Sequence, residues 1–217
     1  HGVHRRQRQM CIRDRVESGS ITKMLSGNQG IIIDGVQHPR AIYTLWTEAE
    51  RNAIGIYTVE IDESKKKDDK WYINTDITYS FGSNKVTGSY GDATAKAHAD
   101  AKWTQSEIDD GLAPDGVDTN TVKTKGLKTI LIQQVKSQAE DELNKTDWYV
   151  TRKAEKNTAI PSSISTHRDA VRTKQAEMET AITNASDTPA LETLYTYTEQ
   201  EDGSYTRPLG EIPQLED

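Results

Sequence analysis

The run Thr146-Asp147-Trp148-Tyr149-Val150-Thr151-Arg152-Lys153 sits between two helical patterns, inside a span from Val122 to Tyr197, and the reading of that span decides the fold. Before it, Leu127, Leu131, Val135, Ala139 and Leu143 recur every fourth residue among Lys, Gln and Glu, which draws one apolar stripe along one helix face. After it, Ile164, Val171, Met178, Ala181, Ile182 and Ala185 line a similar narrow face. Each stripe needs a partner, so the spacing predicts an antiparallel helical pair. Pro161 is tolerated only near a helix start, and Ser162, Ser163 and Ser165 offer capping hydroxyls, so the second helix is expected to begin at 161–165. It should end near Ser186, with Thr188 as N-cap and Pro189 as the first residue of a short third helix reaching Tyr195.

With those helices placed, the order of residues 146–155, then Ala159-Ile160-Pro161, then Thr166-His167-Arg168-Asp169-Ala170-Val171-Arg172, resembles the C-terminal helical segment of tail-fibre assembly proteins and related tail proteins of tailed bacteriophages. In that group an Asp-Trp pair ends one helix and the next carries an Arg-rich face. The resemblance covers about residues 122–195 and implies a non-enzymatic role in assembling or attaching tail fibres through protein contacts. It implies a phage tail or tail-fibre protein as partner, and a location in the cytoplasm of the infected host or in the virion tail. The N-terminal half departs from the assembly proteins, which keeps open a structural tail component, such as an adaptor or fibre base. A weaker likeness to phage tail proteins lies in Leu45 to Arg51 and Gly55-Ile56-Tyr57.

Trp148, Tyr149 and Arg152 have two readings. Aromatic residues at helix ends usually belong to the core, so Trp148 can cover the end of the helical pair with Arg152 and Lys153 solvated. Trp, Tyr and Arg also dominate protein interfaces, and on that reading Trp148, Tyr149 and Arg152, joined by Arg168 and Arg172 of the Arg-rich face, contact a partner. Arg168 and Gln175 interrupt the second stripe, where polar residues set register in an oligomer or face solvent. The partner can therefore be a second copy of the chain.

The chain has 217 residues, 34% hydrophobic and 28% charged, which is polar for one large core. A net charge of -7 argues against a nonspecific nucleic-acid binder. No run approaches the roughly 20 apolar residues of a membrane span. The acidic series Asp109, Asp110, Asp115, Asp118 lacks calcium-loop spacing, and His1, His4, His38, His98 and His167 are scattered, so no metal or cofactor is expected. His167, near the apolar face of the second helix, is expected to be structural. No nucleophile elbow or phosphate-binding glycine loop is evident, so neither an enzyme nor a small-molecule substrate is expected. A carbohydrate-acting tail enzyme is the third reading, because the spacing of paired carboxylates is set in space.

Gln9-Met10-Cys11-Ile12-Arg13-Asp14-Arg15 is what the genetic code returns for the end of a transposon-based sequencing adapter, and residues 1–15 are read as such an artefact. The remainder is expected to be α+β. A small antiparallel β module occupies residues 16–91, with Asp34-Gly35 and Gly82-Ser83-Asn84 as hairpin turns. Within it Ala41–Trp46 reads as extended, Thr47 and Glu50 form a capping box opening a two-turn helix closed by Gly55, Ile56–Ile61 alternates as a strand, and Trp71–Phe81 and Lys85–Tyr90 are strands. A polar linker at 92–121 with one turn after Thr104, the helical hairpin domain at 122–197 and an acidic extended tail at 198–217 complete the expectation.

Overall fold

The structure is a computed structural model that describes residues 13–25 and 29–215, and the chain divides into two compact units between Thr94 and Ala95. The architecture is α+β, with a β-rich N-terminal region and a helical C-terminal region. Residues 1–12 of the segment read as adapter lie outside the described residues. Arg13–Arg15 do not: they open strand β1 (Arg13–Glu17), so the boundary expected at residue 15 falls inside a strand.

Beyond β1 the first unit contains β2 (Ser20–Leu25), β3 (Ile31–Ile33), β4 (Val36–His38), α1 (Ile42–Leu45), α2 (Glu48–Ala53), β5 (Ile56–Asp62), β6 (Tyr72–Ile73), β7 (Thr78–Gly82) and β8 (Lys85–Ser89). Five strands form one sheet in the order β2-β1-β5-β8-β7. All its pairings are antiparallel except β5 with β8, which is parallel, so the sheet is mixed and not purely antiparallel. Tight turns set the hairpins: Ser18-Gly19, Asp34-Gly35 and Ser83-Asn84 all have positive φ, as two-residue hairpin turns require. The capping box at Thr47 and Glu50 is formed, and Gly55 (φ +75) leads from α2 into β5.

Two expectations change here. Ala41–Trp46 is not extended: Ile42–Leu45 form the short helix α1, whose adjacent Ile42 and Tyr43 are both buried in the core of the unit. Trp71–Phe81 is two strands, because Asn74 turns its amide onto Lys67 and Asp69, and Thr75 accepts from the Gly91 N–H. The core of the unit gathers Leu25, Ile31, Ile33, Ile42, Tyr43 and Ile56, with Trp46 and Ile54 against it. Asp14 is the anomaly. It lies in β1 with 0% exposure, neither carboxyl oxygen has a hydrogen-bond partner among the described residues, and burial pushes its pKa up.

Strand β9 (Thr94–Ala95) lies at the division. The second unit then runs through β10 (Ala101–Lys102), α3 (Gln105–Asp109), β11 (Val122–Thr124), α4 (Leu127–Asn144), α5 (Asp147–Lys156), α6 (Ser162–Asn184), α7 (Thr188–Tyr195), β12 (Thr198–Glu199) and β13 (Tyr205–Thr206). The expected linker at 92–121 is structured. β10 pairs with β11, and Thr104 and Glu107 complete a capping box for α3. It also closes the start of α4: the N–H groups of Leu127 and Lys128 donate to the carbonyls of Ala97 and His98, and that of Gly126 to the Asp100 carboxylate at 2.7 Å. These are amides a helix cannot satisfy from within itself. A Cβ on Gly126 would overlap the Ala99 carbonyl, so the approach requires glycine.

Helices α4 and α6 pair antiparallel, as the contacts Lys128–Thr183, Lys136–Glu179 and Glu142–His167 show. The buried seam is Leu131, Val135 and Ala139 against Ile164, Val171, Met178 and Ile182. The Asp-Trp pair does not end α4 but opens the separate helix α5, after a break at Thr146 (φ -118, ψ 3). No serine side chain caps α6, and the N-cap of α7 is Asp187, whose carboxylate accepts from Ala190 N. Thr188 instead donates its hydroxyl to the Lys96 carbonyl. The tail is not extended away from the fold: β12 pairs with β13, Leu209 and Ile212 are buried, and Leu209 N donates to the Leu194 carbonyl.

Candidate protein-interaction site

Where α4 gives way to α5, the apolar seam becomes polar. The stripe predicted at four-residue intervals drifts, because a helix turns every 3.6 residues; three residues beyond Ala139 the inward position falls on Glu142 as Leu143 rotates outward. Glu142 is 2% exposed. Its Oε1 accepts from the Leu215 N–H at 2.8 Å and meets His167 Nε2 at 3.1 Å, and its Oε2 pairs with Lys145 Nζ at 2.5 Å. Burial disfavours its charge, but the Lys145 ammonium, the Leu215 N–H and the His167 ring outweigh that, and its carboxyl titrates below the usual glutamate range. His167 is thus a satisfied structural histidine.

On the facing helix Arg168 fills the gap in the α6 stripe and is buried. Its Nη1 donates to the Leu143 carbonyl at 2.8 Å and to Thr146 Oγ1 at 2.7 Å, and pairs with Asp147 Oδ1 at 2.8 Å. One guanidinium therefore ties the end of α4, the break and the first residue of α5 to α6. Arg168 faces neither solvent nor a free surface, so its place is inside the fold, not in an interface. Arg172 is exposed and pairs with Asp169 on its own helix at 3.2 Å. Gln175 donates to Glu179 at 2.8 Å, also within α6.

The remaining three residues of the expected interface come together on α5. Trp148 is 52% exposed, so it does not cover the helical pair; buried Thr146 takes that place, bonding the Leu143 carbonyl. The Trp148 and Tyr149 rings lie 3.7 Å apart between centroids, tilted by 30°. The Arg152 guanidinium sits over both, at 4.9 Å from Trp148 and 5.5 Å from Tyr149. Val150 beside them is also exposed. The arrangement is a pre-ordered aromatic and cationic surface on a ten-residue helix. Sequence reasoning missed Glu142 and Thr146; the signal for Glu142 was its (i, i+3) distance from Ala139 with Lys145 three residues on.

Among the described residues no group of three or more His, Cys, Asp and Glu is placed to hold a metal, and no helix is long and apolar enough to cross a membrane. No protein-family model, curated protein or solved structure matches the chain.

Proposed function

We propose that the chain is a non-enzymatic protein of a tailed bacteriophage that helps to assemble or attach tail fibres, and that α5 is its contact surface. The reading draws its phage setting from the resemblance in residues 146–172. Its single structural support is the Trp148, Tyr149 and Arg152 cluster, which leaves a stacked tryptophan in water on a helix pinned by Arg168. Aromatic and arginine anchors of this kind carry most of the energy where proteins bind, and pre-ordering them lowers the entropy lost on binding.

The test is co-expression with a tail-fibre gene from the same phage genome. Fibre assembly is expected to require the chain, and Trp148→Ala is expected to weaken binding to the fibre about thirtyfold, the effect of losing about 2 kcal/mol. Proteomics of purified particles separates an assembly factor, absent from mature virions, from a fixed tail component. Fibres that assemble equally well without the chain, together with its absence from particles, would remove both versions.

A further inference from the structure

Helix α5 carries three cations that have no carboxylate partner among the described residues. Arg152 is held only by its stack on Trp148 and Tyr149, and Lys153 and Lys156 are exposed. Tyr149, Arg152, Lys153 and Lys156 follow at helical spacing, so they share one face. Of the two carboxylates on the helix, Asp147 is taken by Arg168, which leaves Glu155 alone against three positive charges. This is a basic patch in a chain whose net charge is -7.

The counterpart lies in the same chain. The β12–β13 hairpin has Thr198 opposite Thr206 and Glu199 opposite Tyr205, and is closed by a turn through Gly203 (φ +80). Residues 198–206 contain Glu199, Glu201 and Asp202 and no cation, and none of the three has an ion-pair partner among the described residues. Asp202 accepts from the Ser204 N–H and side chain, which are neutral donors. Glu199 and Tyr205, as a cross-strand pair, point to one side, and Tyr205 is 62% exposed. Each patch thus has three like charges and an aromatic ring, partly exposed Tyr149 on one and exposed Tyr205 on the other, with opposite signs.

We infer that the chain associates head to tail, the α5 face of one copy receiving the β12–β13 hairpin of a second. The two surfaces differ, so the contact is heterologous and leaves one free patch at each end of a dimer. Opposite charge steers the encounter while the acidic remainder of each copy opposes every other orientation. The α5 surface is the one used in the function proposed above, but this association is measured on the purified chain without a fibre, so the two readings fail separately.

Sedimentation velocity of the full chain at low salt is expected to show reversible growth with concentration, with the dissociation constant rising at least about tenfold in about 0.5 M NaCl as the charges are screened. Lys153→Glu with Lys156→Glu leaves the Arg152 stack in place and is expected to be monomeric. So is Glu199→Lys with Glu201→Lys. Mixing these two variants restores the native contact between the unaltered patches and sets the two charge-reversed patches opposite each other, so one-to-one complexes that neither variant forms alone are the expected result. A wild-type chain that stays monomeric throughout, or two variants that are folded by circular dichroism yet form no dimer when mixed, would overturn the inference. Loss of single-stranded oligonucleotide binding in the lysine variant, with no self-association in the wild type, would overturn it in favour of a nucleic-acid surface.

Discussion

Replacing Arg168 with methionine keeps the apolar stem and removes the guanidinium, so it isolates what the polar junction contributes. Two of the lost contacts go to buried neutral acceptors, the Leu143 carbonyl at 2.8 Å and Thr146 Oγ1 at 2.7 Å. Hydrogen bonds from a charged donor contribute about 1.5–3 kcal/mol each. The third goes to Asp147, which is half exposed and regains water, so it adds about 1 kcal/mol at most. Two effects pull the total down: the Leu143 carbonyl keeps its bond from the Thr146 hydroxyl, and the variant no longer buries a charge. The expected cost of Arg168→Met is about 1.5–3 kcal/mol, and Arg168→Ala, which also loses the packing of the stem, should cost about 1 kcal/mol more. For a unit of this size that lowers the midpoint of thermal unfolding by about 4 °C per kcal/mol. Urea unfolding followed by far-UV circular dichroism, to which the second unit's helices contribute most, measures it. Hydrogen exchange should also show the amides of α5 losing protection before those of α4. A methionine variant within about 0.5 kcal/mol of the wild type, or more stable than it, would show that the guanidinium's burial cancels its bonds and that the junction does not hold α5.

Other expectations concern the two units separately. Glu142 has a folded pKa below its unfolded value, so its stabilisation is complete above the ordinary glutamate range and lost as pH falls through the folded value. Glu142→Gln should flatten that acid limb in titrations of the second unit and cost about 1–3 kcal/mol at neutral pH. Asp14 behaves in the opposite sense: burial raises its folded pKa, so its charged form weakens the first unit above that value, and the penalty fades as pH falls towards the unfolded value. Asp14→Val should therefore stabilise the first unit at neutral pH by about 1–3 kcal/mol in urea unfolding, and a loss of stability would show that the carboxylate has a partner. Gly126→Ala should destabilise the second unit by about 2 kcal/mol or more in the same assay, because the added carbon meets backbone on two sides, the Ala99 carbonyl and His98 O at 2.7 Å.

Periodicity and turn chemistry carried most of the secondary structure. The pairing of α4 with α6 followed from two apolar stripes, and the hairpins at Asp34-Gly35 and Ser83-Asn84 from residues that tolerate positive φ. What was not legible is what depends on neighbours far along the chain. The parallel pairing of β5 with β8 leaves no mark on either strand, because residue types within a strand do not record the direction of its neighbour. The stretch 92–121 read as a linker since most of its work is done by backbone carbonyls at Lys96, Ala97 and His98, which any sequence supplies, with Asp100 the one side chain that joins them. In the candidate site, the aromatic and cationic residues of α5 stood out by type. Arg168 was singled out as an interruption, but its destination inside the fold required knowing that Thr146 breaks the helix opposite it.

That destination bears on how loss-of-binding screens on this chain would be interpreted. Thr146 is wholly enclosed and Arg168 nearly so, yet together they fix where α5 begins. Substitutions at either position should misdirect Trp148 without touching a ligand, so a genetic hit there would report on the mounting and not on the surface it presents.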